Sequence, residues 1–214
     1  MEIIDLQSFP SVNYLSALIK SSYLEFEQYE RWQKMSFRNR YWVAGSGGRI
    51  ELSIPLEGGR EFRGNYRDVR IADDSAWKVH HWRTIVSCYN RSPWFEFYRD
   101  SLEALVMSAN EFLFDWNLAS FDWVNQQLKK PFSYGLTDSY FGNYPDNVTD
   151  LRNRFTPKRL RDQPDSTITY RQVFEDRIGF ISGLSILDLL FCEGTHAPNV
   201  LRQMGEEYAG FTRP

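Results

Sequence analysis

The sequence predicts an α/β fold: a single domain over residues 1–214, with a mixed sheet and packed helices. Three observations carry this. Short alternating apolar segments open the chain, a glycine-bounded aromatic hairpin follows, and from Ala76 the apolar period switches to helical spacing. A Rossmann-like layout is one form of such a fold. Three helices in succession between Ala76 and Lys130 leave α+β as the alternative.

Residues 2–6, EIIDL, read as a first strand. Phe9-Pro10 turns the chain into a helix over Val12–Ser21, in which Val12, Leu15, Leu18 and Ile19 share a face. Residues 23–27, YLEFE, alternate as a strand does. MSFRNRYWVAG and RIELSIP then form two strands joined across Gly45–Gly48. Glu57–Tyr66 is polar and glycine-rich, a loop, and residues 67–72, RDVRIA, make a further strand. Residues 76–90 are a helix capped by Asp74 or Ser75. Pro93 opens a second helix, PWFEFYRDSLEALVM, as proline does at an early helical position. The third runs over about residues 111–130 with apolar side chains on more than one face, which marks a covered helix. Residues 132–136, FSYGL, are a late strand, and Leu184–Phe191 is a short apolar helix between Gly183 and Gly194. Residues 137–170 lack periodicity. Within them a basic segment at about 140–167, including LRNRFTPKRLR, is expected to be mobile and suits a lid over a phosphorylated substrate.

Composition narrows the classes of function. The formal charge of −3 does not recruit nucleic acid, and no apolar run approaches a membrane span. An acidic N-terminus, MEIIDLQSFP, is unlike a secretory signal, so we expect a cytoplasmic protein. The two cysteines, Cys88 and Cys192, have neither metal-site nor disulfide spacing and are expected to be buried apolar residues. Aromatic residues reach 16%, and Tyr and Trp beside Arg and Asn suit a cleft for sugars or planar groups.

Four places carry chemistry. Arg38-Asn39-Arg40 packs many N–H donors into three residues; on a strand, Arg38 and Arg40 share a face and Asn39 points opposite. A guanidinium there can fork onto phosphate or carboxylate, while the plainer use is a charged edge strand that resists aggregation. His80 and His81 diverge on a helix, and His81 shares a face with Trp77. One imidazole can be a general base, or an ordinary hydrogen-bonded histidine on an aromatic helix. Metal is disfavoured because the i, i+4 ligand pair is missing. Asp188 lies among Leu and Ile; if buried it needs a partner, and Arg38, Arg40 or a histidine would supply the cation, whereas an exposed stripe with Ser185 would need none. GSGG lacks the spacing of a phosphate loop, and no GxSxG or Cys–His signature is present.

Several pieces, in order, resemble the WbqC-like proteins of bacterial polysaccharide gene clusters, and are most similar to a short Bacteroidetes-type version. They are SFPSVNYL; KMSFRNRYWVAG and LSIPL; VRI; WKVHHWRTIVSCYNRSPWFEFY; FLFDWNL; LTDSY; and TYRQVFEDRIGFISGLSILDLLFCEG. Arg38, Asn39, Arg40, Trp77, His81, Tyr89, Pro93 and Asp188 fall on the family pattern, with His81 rather than His80 as the family histidine. Ser182-Gly183 stands where relatives carry Pro and Asn, Cys192 where they carry Asn, and Tyr29 in place of a histidine.

The resemblance implies a role in O-antigen and other surface-polysaccharide synthesis, or in sugar-nucleotide metabolism. The reaction expected is a transferase step on an amino sugar. The alternative is a non-catalytic ligand-binding or assembly protein of the same pathway. The substrate is an anionic small molecule of the sugar-nucleotide kind, and the sequence leaves any cofactor unknown. In this reading Arg38 and Arg40 hold the anion and Asn39 orients it. His81 handles a proton and Asp188 fixes His81 or an arginine; Trp77 and Tyr89 complete the substrate-binding set.

Overall fold

A parallel four-stranded sheet organises the molecule. In the computed structural model, which describes residues 1–73, 75–129, 132–162 and 168–208, strand β1 (Glu2–Asp5) lies beside β2 (Leu24–Glu27) on one side and beside β6 (Thr149–Asp150) on the other. Strand β5 (Tyr134–Leu136) extends the sheet beyond β2, giving the order β5-β2-β1-β6 with every pairing parallel. Register runs Glu2 to Leu24 through Asp5 to Glu27, and Ile3 to Asp150. Ile3, Ile4, Leu24 and Phe26 are all buried, as parallel strands covered on both faces require.

The hairpin forms a second, two-stranded antiparallel sheet of β3 (Arg40–Gly45) and β4 (Gly48–Ser53). Its two-residue loop closes at Gly48, whose φ of +122° suits only glycine. Strand β3 starts at Arg40, so Arg38 and Asn39 lie in the preceding turn and not on a strand face with Arg40. The expected strand at 67–72 is also replaced: Tyr66–Asp68 is a 3-10 turn. The backbone after it makes single bridges on two sides, Ile71 to Leu56 and Arg70 to Phe112, and so never lines up along one partner.

Helix α1 (Val12–Leu18) is capped by Ser11, whose Oγ accepts from Tyr14 N–H at 3.2 Å. It ends earlier than the apolar pattern suggested. The three long helices are α2 (Ala76–Tyr89), α3 (Phe95–Met107) and α4 (Leu113–Gln127). Ser75 is the α2 N-cap without a side-chain bond, and the alternative cap Asp74 lies outside the described residues. Pro93 sits ahead of Trp94, the α3 N-cap, rather than inside the helix. α4 buries Phe114, Trp116, Asn117 and Phe121 on different sides, as expected of a covered helix. The basic region contains β6 and α5 (Pro157–Asp162), with Leu151, Phe155 and Leu160 buried; residues 163–167 lie outside the described residues.

α6 (Glu175–Ile178), the fully buried stretch Ile186–Phe191 of α7 (Ile186–Glu193) and α8 (Ala197–Tyr208) complete the chain. One core joins all of this, from Ile4 to Met204, through edge-to-face rings such as Phe9 on Tyr41 and Trp77 on Trp116. Among the described residues, no helix is long and apolar enough to cross a membrane.

Candidate functional site

The chain leaves β1 toward β2 on one side of the sheet, and the neighbour on the other side of β1 is β6. A parallel sheet opens a crevice at such a reversal, outside the carboxyl ends of its strands. Here that place holds a cavity of about 500 Å³ lined by Tyr29, Glu30, Asn65, Tyr140, Asp150 and Arg152, among others. Strand ends and the turns after them supply the polar groups: Asp5 ends β1, Glu27 ends β2, and Asp150, Arg152 and Asn153 belong to or follow β6.

Beneath the cavity lies a buried charge cluster centred on Arg38, which is 0% exposed. Its Nε donates to Glu30 Oε1 at 3.1 Å, its Nη2 makes an ion pair with the same carboxylate, and Nη2 also donates to Asn153 Oδ1 at 3.0 Å. Asp5 Oδ2 is 3.7 Å from Nη2. Asp5 further accepts from Asn153 N–H at 2.7 Å and from the Gln7 amide at 3.0 Å. One guanidinium thus serves two carboxylates, and its Nη1 is buried with no hydrogen-bond partner. Burial pushes the Glu30 carboxyl above its ordinary value and Asp5 adds to this, while Arg38 pulls it back. Glu30 is 4% exposed and still reaches the cavity wall. A nearly dry carboxyl with a raised pKa in a crevice is the usual form of a proton-handling group.

Arg152 lines the same cavity, held in a fork by Asp150 at 2.9 and 2.6 Å. Its remaining nitrogen reaches Glu27 Oε2 at 3.5 Å and the Phe141 carbonyl at 3.0 Å. Tyr140 and Tyr144 take its guanidinium on their ring faces at 5.1 and 4.9 Å. Tyr140 remains half exposed, an aromatic surface at the mouth of a polar hollow.

The other expected site residues lie elsewhere. His81 is buried, with Nδ1 3.0 Å from the Tyr41 hydroxyl and Nε2 3.2 Å from the Ser53 carbonyl. A carbonyl only accepts, so Nε2 carries the proton and Nδ1 accepts from Tyr41. Burial lowers its pKa to about 4, and Trp77 packs edge-on against it at 5.0 Å. The imidazole is neutral with both nitrogens engaged, which suits a packed core histidine rather than a base. Asp188 is fully buried, and among the described residues no cation pairs with it. Instead Tyr89 donates to Oδ1 at 2.8 Å and Tyr170 to Oδ2 at 2.7 Å, and burial lifts the carboxyl to about 6. The Tyr89 hydroxyl also accepts from Ala44 N–H at 2.8 Å, so Tyr89 ties α2 to β3 and α7 from within the core.

Arg40 pairs with Glu51 at 2.8 Å, and Asn39 donates to the Ile54 carbonyl at 3.1 Å; both line a different cavity. Trp77 lines a third. Among the described residues, no hydrogen bond or ion pair joins Arg38, His81 and Asp188. Of the expected set only Arg38 belongs to the switch-point cluster, and it faces carboxylates of its own chain rather than an anion. Cys88 is buried as expected, Cys192 only half-buried, and burial raises both thiols. Glu30, Asp5 and Arg152 were not legible in the sequence: Asp5 closes an apolar strand and Glu30 follows one, as many ordinary residues do, and Arg152 follows a two-residue strand that has no apolar pattern.

Similarity searches bear on the whole chain. No curated protein matches it, and no solved structure does. A profile of the WbqC-like protein family matches residues 7–155, more than two-thirds of the sequence, and that span holds all of β2 to β6 together with Glu30, Arg38 and Arg152. The chain belongs to the WbqC-like protein family.

Proposed function

We propose that the protein is an enzyme of surface-polysaccharide or sugar-nucleotide metabolism, transferring a group to an amino sugar in the crevice at the carboxyl ends of β1, β2 and β6. The observation that carries this reading is Glu30: 4% exposed, on the cavity wall, its pKa raised by burial and its orientation fixed by Arg38. As the amine or hydroxyl of the sugar attacks the donor, a bond forms to the transferred group and the bond to the leaving group breaks. Glu30 takes the proton from the attacking atom and returns it to the leaving group. Tyr140 offers a ring face for the sugar. Two acids, Glu30 and Asp150, and two bases, Arg31 and Arg152, line the cavity. Two against two leaves this lining without net charge, which suits the polar hydroxyl and amine groups of a sugar better than a free phosphate.

The test is Glu30→Gln, which keeps shape and removes the base. In cells lacking their own copy, the variant should fail to restore surface polysaccharide. In calorimetry against amino-sugar nucleotides, it should keep affinity within about tenfold. Loss of both would favour a ligand-binding or assembly protein, and full restoration would exclude Glu30 from the chemistry.

A further inference from the structure

A second cavity, about 580 Å³, lies between the turn before β3 and the end of β4. Trp32, Lys34, Asn39, Arg40, Glu51 and Ile54 are among its walls. The stretch 31–34 contributes to its wall and to that of the switch-point crevice. Arg31 and Gln33 line the crevice, Trp32 and Lys34 line the second cavity, and all four line a further hollow. Successive side chains of this stretch alternate between the two spaces, so it forms a wall of both.

The second cavity has its own chemistry. The Trp32 indole is held by its backbone, whose N–H donates to the Gly64 carbonyl at 3.1 Å, and by Tyr66, with ring centroids 6.0 Å apart. Apolar Ile54, Pro55 and Leu56 lie along the same cavity, so a flat ring would meet an aromatic and an aliphatic wall. Two cations, Lys34 and Arg40, stand against one acid, Glu51. Arg40 gives Nη1 to Glu51 at 2.8 Å, while its Nε is buried with no hydrogen-bond partner, an arrangement that normally calls for an acceptor. A pocket with a flat apolar wall and surplus guanidinium capacity suits a planar ring that carries a phosphate.

We infer that this second cavity is a nucleotide subsite, seating the base against Trp32 and the phosphate at Arg40 and Lys34. Its link to the reaction rests on the proposed use of the crevice; its affinity for nucleotide does not. Arg38, in the turn, positions Glu30 in the crevice, and Arg40, which opens β3, meets the phosphate in the second cavity.

The experiment is calorimetry of the full chain with UMP, CMP, AMP, GMP and TMP, and with uridine and inorganic phosphate as the separated parts. At least one nucleotide should bind, at least tenfold more tightly than either part. Arg40→Ala and Trp32→Ala should each weaken it about tenfold or more, and the exposed Lys34→Ala, which leaves folding intact, several-fold. Arg40→Lys should recover part of the loss, and Glu51→Gln, which frees the guanidinium, should tighten binding. Glu30→Gln should leave nucleotide affinity unchanged. Binding of none of the five nucleotides overturns the inference, as does affinity lost in Glu30→Gln but kept in Arg40→Ala. Should nucleotide bind as described while Glu30→Gln remains fully functional in cells, the crevice reading fails and the subsite stands.

Discussion

The Tyr41 hydroxyl and His81 Nδ1 lie 3.0 Å apart, and this contact leaves the imidazole proton on Nε2, facing the Ser53 carbonyl at 3.2 Å. Burial holds the folded pKa near 4, against 6.5 in the unfolded chain. Between those values the unfolded chain binds a proton that the folded one refuses. The contribution of His81 to stability is therefore complete above pH 6.5 and is lost as pH falls toward 4, by on the order of 3 kcal/mol. His81→Gln should remove that acid sensitivity, read as urea midpoints at pH 7 and pH 4.5.

Asp188 has the opposite sign. Its folded pKa of about 6 exceeds the ordinary 3.8, so the folded chain holds the extra proton between those values. Stability from this group grows as pH falls from 6 to about 4, again by on the order of 3 kcal/mol. The two contributions nearly cancel in the wild type. Asp188→Asn should therefore unmask His81 and lose stability with acid far more steeply than wild type in the same urea series.

Arg38 is the only cation bonded to the Asp5–Glu30 pair among the described residues, so removing it leaves two buried carboxylates facing each other. Arg38→Met should cost about 3–5 kcal/mol. Adding Glu30→Gln to it should recover part of this, a coupling visible in a double-mutant cycle by chemical denaturation.

The Glu30 carboxyl itself is open to a direct reading. Its pKa is raised by burial and, in the same direction, by Asp5. A carbon-13 titration of Glu30 should show a midpoint above the ordinary glutamate range, and Asp5→Asn should move it down. A midpoint unmoved by that substitution would remove Asp5 from the cluster's electrostatics.

Gly205 tests the packing of the last helix. In most helices Gly→Ala gains up to about 1 kcal/mol. Here a Cβ would lie 2.4 Å from the Ser16 carbonyl oxygen on α1 and 2.9 Å from Ile19 Cγ2. Gly205→Ala should instead lower stability by about 1–3 kcal/mol, measured by thermal unfolding. Gly47→Ala, whose Cβ meets nothing within 4 Å, is the matched control and should be near neutral.

What could be read from the sequence follows the range of each signal. The strands β1 and β2, the hairpin and helices α2, α3, α4 and α7 declare themselves through periods of a few residues, and all appear. Strand β6 has two residues and no pattern of its own; it exists because Glu2 and Ile3 pair with it across most of the chain. The acid amid Leu and Ile at Asp188 did mark a buried carboxyl, but its partners are tyrosine hydroxyls, which local sequence does not distinguish from core rings. The donor density of Arg38-Asn39-Arg40 raised the expectation of an anionic ligand, whereas Arg38 meets Asp5 and Glu30 of its own chain, brought in by the sheet. Glu30 carries no local mark because its perturbation arises from burial and from groups that meet it only after folding.

The pairing of Glu2 with Thr149 has a consequence for the order of events during folding. β1 can zip onto β2 by closing a loop of about twenty residues, whereas the outer strand must return from nearly 150 residues downstream, a late and slow closure. Asp150, Arg152 and Asn153 arrive with that strand, so Asn153 reaches Arg38 only in the last stage. A chain still emerging from the ribosome can thus hold its hairpin and long helices while the crevice is unbuilt, and the crevice lags behind compaction.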